Sequence, residues 1–451
     1  MALPPPADTI FACATAAGRA GIAVIRISGP RTLEALRVLG VVAPPPQRLR
    51  RARFLDPQTQ EPIDHGLVAA FPGPHSYTGE MLVELHVHGS PAVVTALYAA
   101  LGRQPGLRIA QPGEFTRRAF ENGKLDLTEA EAIADLVAAE TAAQRRQALR
   151  QLSGELGQLY EGWRESLLGA LAHLEAAIDF PDEGLPTTVL DGVATAVRKL
   201  KGEISGYLAD NRRGERLRDG LSIAILGPPN AGKSSLLNAL ARRDAAIISA
   251  TAGTTRDVIE VHLDLGGYPA ILADTAGLRE SGDTVEAEGV RRARARAAEA
   301  DLKLMVLDAT RPEEASGAVD ALVDAETLVV ANKIDLAANE AVSAWADRVG
   351  AGPALRISVK TGAGLEALLS RLTEELAQRF GATGAPLITR ARHRAALEEC
   401  LGALCRYDPA ALPELAAEDL RLAARALGRI TGRVDVEDLL DVIFRDFCIG
   451  K

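Results

Sequence analysis

Aromatic residues supply 4% of this 451-residue chain, with only two tryptophans, although 47% of its residues are hydrophobic. Alanine, leucine and arginine carry the composition instead, which suits helices. A basic surplus is missing too: 51 Lys and Arg face 60 Asp and Glu, a formal net charge of −9. Broad, nonspecific nucleic-acid binding is therefore not indicated, and any RNA contact is expected to be local or carried by a partner. The four cysteines, Cys13, Cys400, Cys405 and Cys448, have no metal-ligand spacing. Their scatter fits a reducing cytosol and implies no disulfide framework. No apolar run approaches membrane-spanning length, and the start Met1-Ala2-Leu3-Pro4-Pro5-Pro6 lacks the basic region and apolar core of a targeting segment. A soluble, cytoplasmic protein without membrane contact is expected, of about three domains at this length.

The strongest positive signal is Gly227-Pro228-Pro229-Asn230-Ala231-Gly232-Lys233-Ser234, which fits Gly-x4-Gly-Lys-Ser between a strand-like run, Leu221 to Leu226, and a helix-like run from Ser235 to Leu240. Backbone amides of such a loop and the positive end of its helix surround a triphosphate, Lys233 reaches the outer oxygens, and Ser234 holds Mg2+. Asp274-Thr275-Ala276-Gly277 ends a second strand-like run and places a carboxylate facing the phosphates. Asn332-Lys333-Ile334-Asp335 ends a third, where a carboxylate accepts two hydrogen bonds from a guanine edge that adenine does not offer. Ser358, with the amides of Val359 and Lys360, closes a fourth. Gly253-Thr254-Thr255-Arg256-Asp257 adds Thr255 as the second Mg2+ ligand. Together these motifs predict GTP as the nucleotide. After Gly277 stands Leu278, where Ras-like GTPases place a water-orienting Gln. An apolar side chain cannot position water, so Glu286 is a candidate substitute; the plainer reading is that it opens the next helix. Asn230 beside the phosphates, with carbonyls from Ser249 to Thr254, can hold a monovalent cation in place of an arginine finger.

The GTPase unit sits mid-chain between helical patterns. Leu149, Leu152, Leu156, Tyr160, Trp163, Leu167, Leu171, Leu174 and Ile178 predict one long amphipathic helix, and a second is expected over 191–218. Helical patterns resume at 388–407, 416–428 and 436–447, so two incomplete sets are expected to form one bundle with the GTPase domain inserted. The region to Asn122 reads as an α+β module with strand-like runs 21–28, 66–71 and 81–87. In the last, Glu84, His86 and His88 share one face; they are pocket or metal-binding groups, or a solvated strand face. Arg291, Arg292, Arg294 and Arg296 touch a partner or tRNA, or form a solvated helix face.

Further signatures flank this core: Asp8-Thr9-Ile10 with Gly18-Arg19, Arg26-Ile27-Ser28-Gly29, Ser76-Tyr77-Thr78-Gly79-Glu80, 112–120 (Pro-Gly-Glu-Phe-Thr-Arg-Arg-Ala-Phe), 122–127 (Asn-Gly-Lys-Leu-Asp-Leu) and the terminal Cys448-Ile449-Gly450-Lys451. With them the chain resembles the MnmE (TrmE) family of tRNA-modification GTPases along essentially its whole length. The resemblance implies a multidomain α/β and α fold: an amino-terminal dimerisation and folate-binding domain (1–122), a helical domain in two parts (123–219 and 381–451), and an inserted Ras-like P-loop GTPase domain (220–380). It implies a homodimer holding a 5-formyltetrahydrofolate-like carrier through Arg26, Glu84, Lys124 and Lys451. It further implies K+ held by Asn230, Ser249, Thr251 and Thr254, Mg2+ by Ser234 and Thr255, and water positioned by Glu286. GTP would meet Asn230, Ala231, Gly232, Lys233, Ser234 and Ser235, the loop Ser249, Ala250, Thr251, Ala252, Gly253, Thr254 and Thr255, then Asp274, Thr275, Ala276 and Gly277, and on the base side Asn332, Lys333, Ile334, Asp335, Ser358, Val359 and Lys360. Family members act in a heterotetramer with an FAD- and NADH-dependent partner of the MnmG (GidA) type, adding an aminomethyl or carboxymethylaminomethyl group to carbon 5 of the tRNA wobble uridine. Cys448 is placed near the folate pocket, giving it a redox or covalent role; otherwise it reads as a buried structural cysteine. The sequence departs from the family at Ala250, Thr251 and Val359-Lys360. Two rival readings are a ribosome-assembly GTPase switch and a one-carbon enzyme acting on a small metabolite.

Overall fold

The computed structural model describes residues 8–180, 187–243, 246–247, 260–274, 298, 300–311, 320–336, 341–381, 386–434, 436–445 and 447–451. The chain divides into two compact units: Met1–Ala134 with Gln151–Lys201 and Ala396–Lys451, and Asp135–Arg150 with Gly202–Ala395.

The first unit is built on six strands, β1 (Thr9–Cys13), β2 (Ala20–Ser28), β3 (Arg50–Leu55), β4 (Pro62–Phe71), β5 (Leu82–Gly89) and β6 (Leu107–Ile109), in the order β3-β4-β5-β2-β1-β6. All neighbours are antiparallel except β1 and β6. Period-two patterning works as the sequence predicts in β5: Val83, Leu85 and Val87 are buried, packing with Ile25, Ile27, Phe54 and Val68 against helices Thr32–Val38 and Pro91–Gly102. Glu84 and His86 take the opposite face, with Arg26 in register beside Glu84. Three of the six strands, β1, β3 and β6, lie outside the runs expected from sequence. β6 is only three residues long and β3 carries four polar or small residues, so neither shows strong alternation.

Helix Glu155–Asp179 packs along helix Pro413–Thr431, which follows it by more than two hundred residues in sequence. The helix expected to run unbroken from Leu149 is interrupted. Helix Ala142–Leu152 ends, Gly154 adopts φ 84°, and a new helix starts at Glu155. The apolar spacing continues across the break, so periodicity cannot detect it; only the left-handed glycine does. Likewise the helix expected over 191–218 is two, Thr187–Leu208 and Arg213–Asp219, separated where Asn211 and Arg212 take φ 54° and 56°. No helix among the described residues is long and apolar enough to cross a membrane.

The second unit holds β7 (Leu221–Leu226), β8 (Glu260–Leu265), β9 (Tyr268–Asp274), β10 (Leu302–Asp308), β11 (Thr327–Asn332) and β12 (Leu355–Arg356), in the order β12-β11-β10-β7-β9-β8. All pairs are parallel except β8 with β9. Parallel strands are covered on both faces and so read as nearly continuous apolar runs. In β7, Ile223 and Ile225 pack with Leu236, Leu240, Leu368 and Leu372 on one side, while Ala224 and Leu226 join Met305, Val342 and Trp345 on the other. This doubly wound P-loop arrangement delivers the carboxyl ends of β7, β9, β10 and β11 to one edge, where ligands of such sheets bind.

Candidate nucleotide and amino-terminal sites

β7 ends at Leu226, and the loop that follows from Gly227 returns into helix Lys233–Ala241. The Lys233 ammonium donates to the carbonyl oxygens of Gly227 (2.9 Å) and Pro228 (2.8 Å), so the loop is wrapped around its own lysine. Gly232 has φ 99°, and a Cβ there would stand 2.3 Å from the Asn332 amide nitrogen. Both constraints require glycine. The reason for the close approach is that Asn332 ties two loops together: its Nδ2 donates to the Ala231 carbonyl (2.9 Å), and its Oδ1 accepts from the Val359 amide (3.2 Å). Asn332 is 2% exposed, so both bonds are made away from water, where leaving them unmade is costly.

Lys333, in the left-handed region at φ 65°, donates to the Asn230 carbonyl (2.8 Å) and pairs with Asp308 (2.6 Å). Burial pushes the Asp308 carboxyl up, but hydrogen bonds from Lys333 and Thr310 outweigh it and hold the group below its ordinary value. Asn230 is itself left-handed at φ 61°. The Ser358 hydroxyl donates to Asp335 Oδ1 (2.6 Å) and accepts from the Thr361 amide (3.2 Å). A carboxylate has about four acceptor positions, so Asp335 keeps capacity for the paired N–H donors of a guanine edge. Ile334 is anchored through its amide to the Ile357 carbonyl (3.2 Å). Ser234, Ser235 and Lys360 are exposed at the same edge.

The structure therefore brings Asn230, Ala231, Gly232, Lys233, Asn332, Lys333, Asp335, Ser358 and Val359 into one connected site. Ser249, Ala250, Thr251, Ala252, Gly253, Thr254, Thr255, Thr275, Ala276, Gly277 and Glu286 lie outside the described residues, as do Arg291, Arg292, Arg294 and Arg296. The backbone of Asp274 ends β9 in register with Ile225. Asp308 is a site residue that motif reading does not single out. Its one signal is an acidic residue ending an apolar strand-like run, Leu302 to Leu307.

A second cluster lies on the polar face of the amino-terminal sheet. Arg26 Nε donates to Glu84 Oε1 (2.9 Å), and Arg26 Nη1 donates to the Gly450 carbonyl (3.4 Å). The Arg26 guanidinium also lies over the Tyr77 ring, 5.7 Å from its centroid. His86 Nε2 stands 3.3 Å from Glu84 Oε2, without the alignment of a hydrogen bond. The chain's last residues are held here: Ile449 bridges to Pro112, and the Gly113 amide donates to the Cys448 carbonyl (3.4 Å). Burial, then the charge of Arg26, lower the Lys451 ammonium below its ordinary value, partly offset by Cys448. Cys448 is exposed, which sets aside its reading as a buried structural residue. Lys124 donates to the Pro74 carbonyl (2.9 Å). His88 turns to Asp64 (2.8 Å) and away from His86, and among the described residues no group of three or more His, Cys, Asp or Glu could hold a metal ion.

Residues 9–124 match the family of the GTP-binding protein TrmE N-terminus, and residues 127–448 match the MnmE helical domain. The tRNA modification GTPase MnmE of Paramagnetospirillum magneticum is 58% identical over 445 residues, covering 98% of this chain and 100% of that one. Its counterpart from Parvibaculum lavamentivorans is 56% identical over 449 residues, with the same coverage. The human mitochondrial 5-taurinomethyluridine-[tRNA] synthase subunit GTPB3 is 51% identical over 463 residues, covering 98% of this chain and 93% of that one. With a phosphate loop tied to a guanine-side Asn-Lys-x-Asp and family matches across nearly its whole length, the chain belongs to the MnmE (TrmE) family of tRNA modification GTPases.

Proposed function

We propose that this GTPase acts with a flavin-dependent partner to add an aminomethyl or carboxymethylaminomethyl group to carbon 5 of the wobble uridine in certain tRNAs. The observation that carries this reading is the Arg26–Glu84 pair with the chain's terminal residues folded against it. A pterin presents amide-like donors suited to Glu84, and a glutamyl tail presents carboxylates suited to Lys124 and Lys451. A tetrahydrofolate of this kind would supply the one-carbon unit. The human relative's description as a uridine-modifying synthase subunit supports both the base modified and a partner complex. A homodimer through the amino-terminal domain (1–122) belongs to the same reading, as do FAD and NADH on the partner, and a GTPase domain (220–380) inserted between the two parts of the helical domain.

In the GTPase cycle Lys233 would exchange its loop carbonyls for phosphate oxygens, Ser234 and Thr255 would hold Mg2+, and Asp335 would select guanine. Asn230, Ser249, Thr251 and Thr254 would hold K+, whose charge would stand in for an arginine finger, and Glu286 would orient water in place of the Gln that Leu278 replaces. A GTPase rate equal in K+ and Na+ would remove the cation from this scheme. The function is tested by nucleoside mass spectrometry of tRNA from cells lacking the chain, rescued with wild type or Asp274→Ala. Loss of the wobble modification restored only by wild type is expected. Unchanged modification in the deletion would replace this reading with a ribosome-assembly switch.

A further inference from the structure

β3 is the terminal strand of the amino-terminal sheet, with β4 as its one strand neighbour among the described residues. Arg48 precedes it, and Arg50, Arg51 and Arg53 lie along it, all four exposed. None of these side chains makes an ion pair or hydrogen bond among the described residues. Elsewhere in the same unit arginines are committed: Arg108 and Arg118 pair with Glu114, and Arg117 with Glu121 and Asp441.

The acids of the β3–β4 hairpin do not neutralise the group. Asp56 accepts from the amides of Gln58 (2.8 Å) and Thr59 (3.1 Å) and pairs with Arg103 (3.5 Å), at the turn end of the hairpin. Glu61 lies at that same turn. Asp64 accepts from the His88 amide and ring, each at 2.8 Å. The arginine end of β3 is therefore a local concentration of like charge in a chain whose net charge is −9. Such crowding is unfavourable alone and is relieved by an external anion.

The backbone beneath these arginines is held in place. Pro44-Pro45-Pro46 restricts the approach, the Gln47 amide donates to the Ala70 carbonyl (3.0 Å), and Arg50 to Arg53 run in register with Val68 to His65. On an extended strand Arg51 and Arg53 share a face about 7 Å apart, a spacing on the scale of successive phosphates. Guanidinium groups bind phosphate oxygens bidentately, and a strand already ordered loses little entropy on binding.

We propose that β3 and Arg48 form a contact surface for the phosphate backbone of RNA, through which this chain holds tRNA by charge without reading bases. This rests on the reading that the chain works on tRNA, and adds that it touches the RNA itself. A charged edge strand also serves to block sheet-to-sheet association between chains, and the two roles are separable by salt dependence.

The experiment uses the full-length chain and fluorescently labelled tRNA, with affinity measured by anisotropy between about 50 and 200 mM KCl. Wild type is compared with the triple variant Arg50→Ala, Arg51→Ala, Arg53→Ala and with the matching triple Lys variant. The Ala triple is expected to weaken binding tenfold or more at low salt and to flatten log Kd against log salt by about two units, since each lost contact removes roughly 0.7 to 0.9. The Lys triple is expected to retain most of the slope, and both variants to keep the wild-type GTPase rate and elution volume. Unchanged affinity and slope in the Ala triple would overturn the proposal. So would aggregation of that variant with the slope intact, which marks edge protection, or unchanged RNA binding with weakened binding to an acidic protein partner. Failure of wild type to bind tRNA would overturn it too, while the deletion assay of wobble modification would still judge the function independently.

Discussion

Gly232 is a position in the nucleotide site with little freedom to change. Its φ of 99° and the Asn332 amide 2.3 Å from a would-be Cβ mean that Gly232→Ala both strains the backbone and pushes apart the two loops that Asn332 joins. GTP affinity, read by titration of a fluorescent nucleotide, is expected to fall at least tenfold, corresponding to about 1.4 kcal/mol or more. Asp308 gives a pH signature. Its carboxyl is held below the ordinary 3.8 by Lys333 and Thr310 against the opposing effect of burial. A depressed carboxyl contributes stability that is present above its unfolded value and lost as pH falls through the native one. The urea midpoint of wild type should therefore exceed that of Asp308→Asn near neutral pH, with the gap closing below about pH 4. A gap that stays constant into acid would show that the Lys333 pair contributes nothing through charge.

Helices and strands differ in how well their ends are announced. The β5 alternation and the apolar runs of β7 and β11 are legible because burial on one or both faces is written into consecutive residues. The breaks at Gly154 and at Asn211–Arg212 are not, because apolar spacing persists through them and the left-handed backbone depends on what packs around it. Gly154→Ala is expected to lower unfolding stability by about 1–2 kcal/mol through the left-handed penalty alone, measured by denaturant unfolding. Leu420 is fully buried on the helix that packs along Glu155–Asp179. Leu420→Ala should cost about 2–5 kcal/mol, the usual range for a leucine cavity, while leaving the GTPase rate near wild type. A loss below 1 kcal/mol would mean the site collapses around the smaller side chain.

For the whole chain, the terminal Cys448-Ile449-Gly450-Lys451 is predicted to matter for folate and not for GTP. Deleting these four residues removes the Ile449–Pro112 bridge and the Arg26 contact to Gly450. Binding of 5-formyltetrahydrofolate by calorimetry should weaken at least tenfold with the GTPase rate unchanged; equal folate affinity would detach the terminus from that site. The sequence alone determined the nucleotide chemistry, because a phosphate loop and the Asn-Lys-x-Asp group are contiguous motifs whose residue types are dictated by the ligand's own donors and charges. Only the tertiary structure decided that Asn332 is a tie between loops, that Asp308 belongs to the site, and that Arg26 meets a carbonyl 424 residues away. It also decided that the arginines of β3 stand on a sheet edge without a partner among the described residues. Those facts depend on which surfaces pack together, and packing is settled by the burial of many side chains at once, which no local run of residues records.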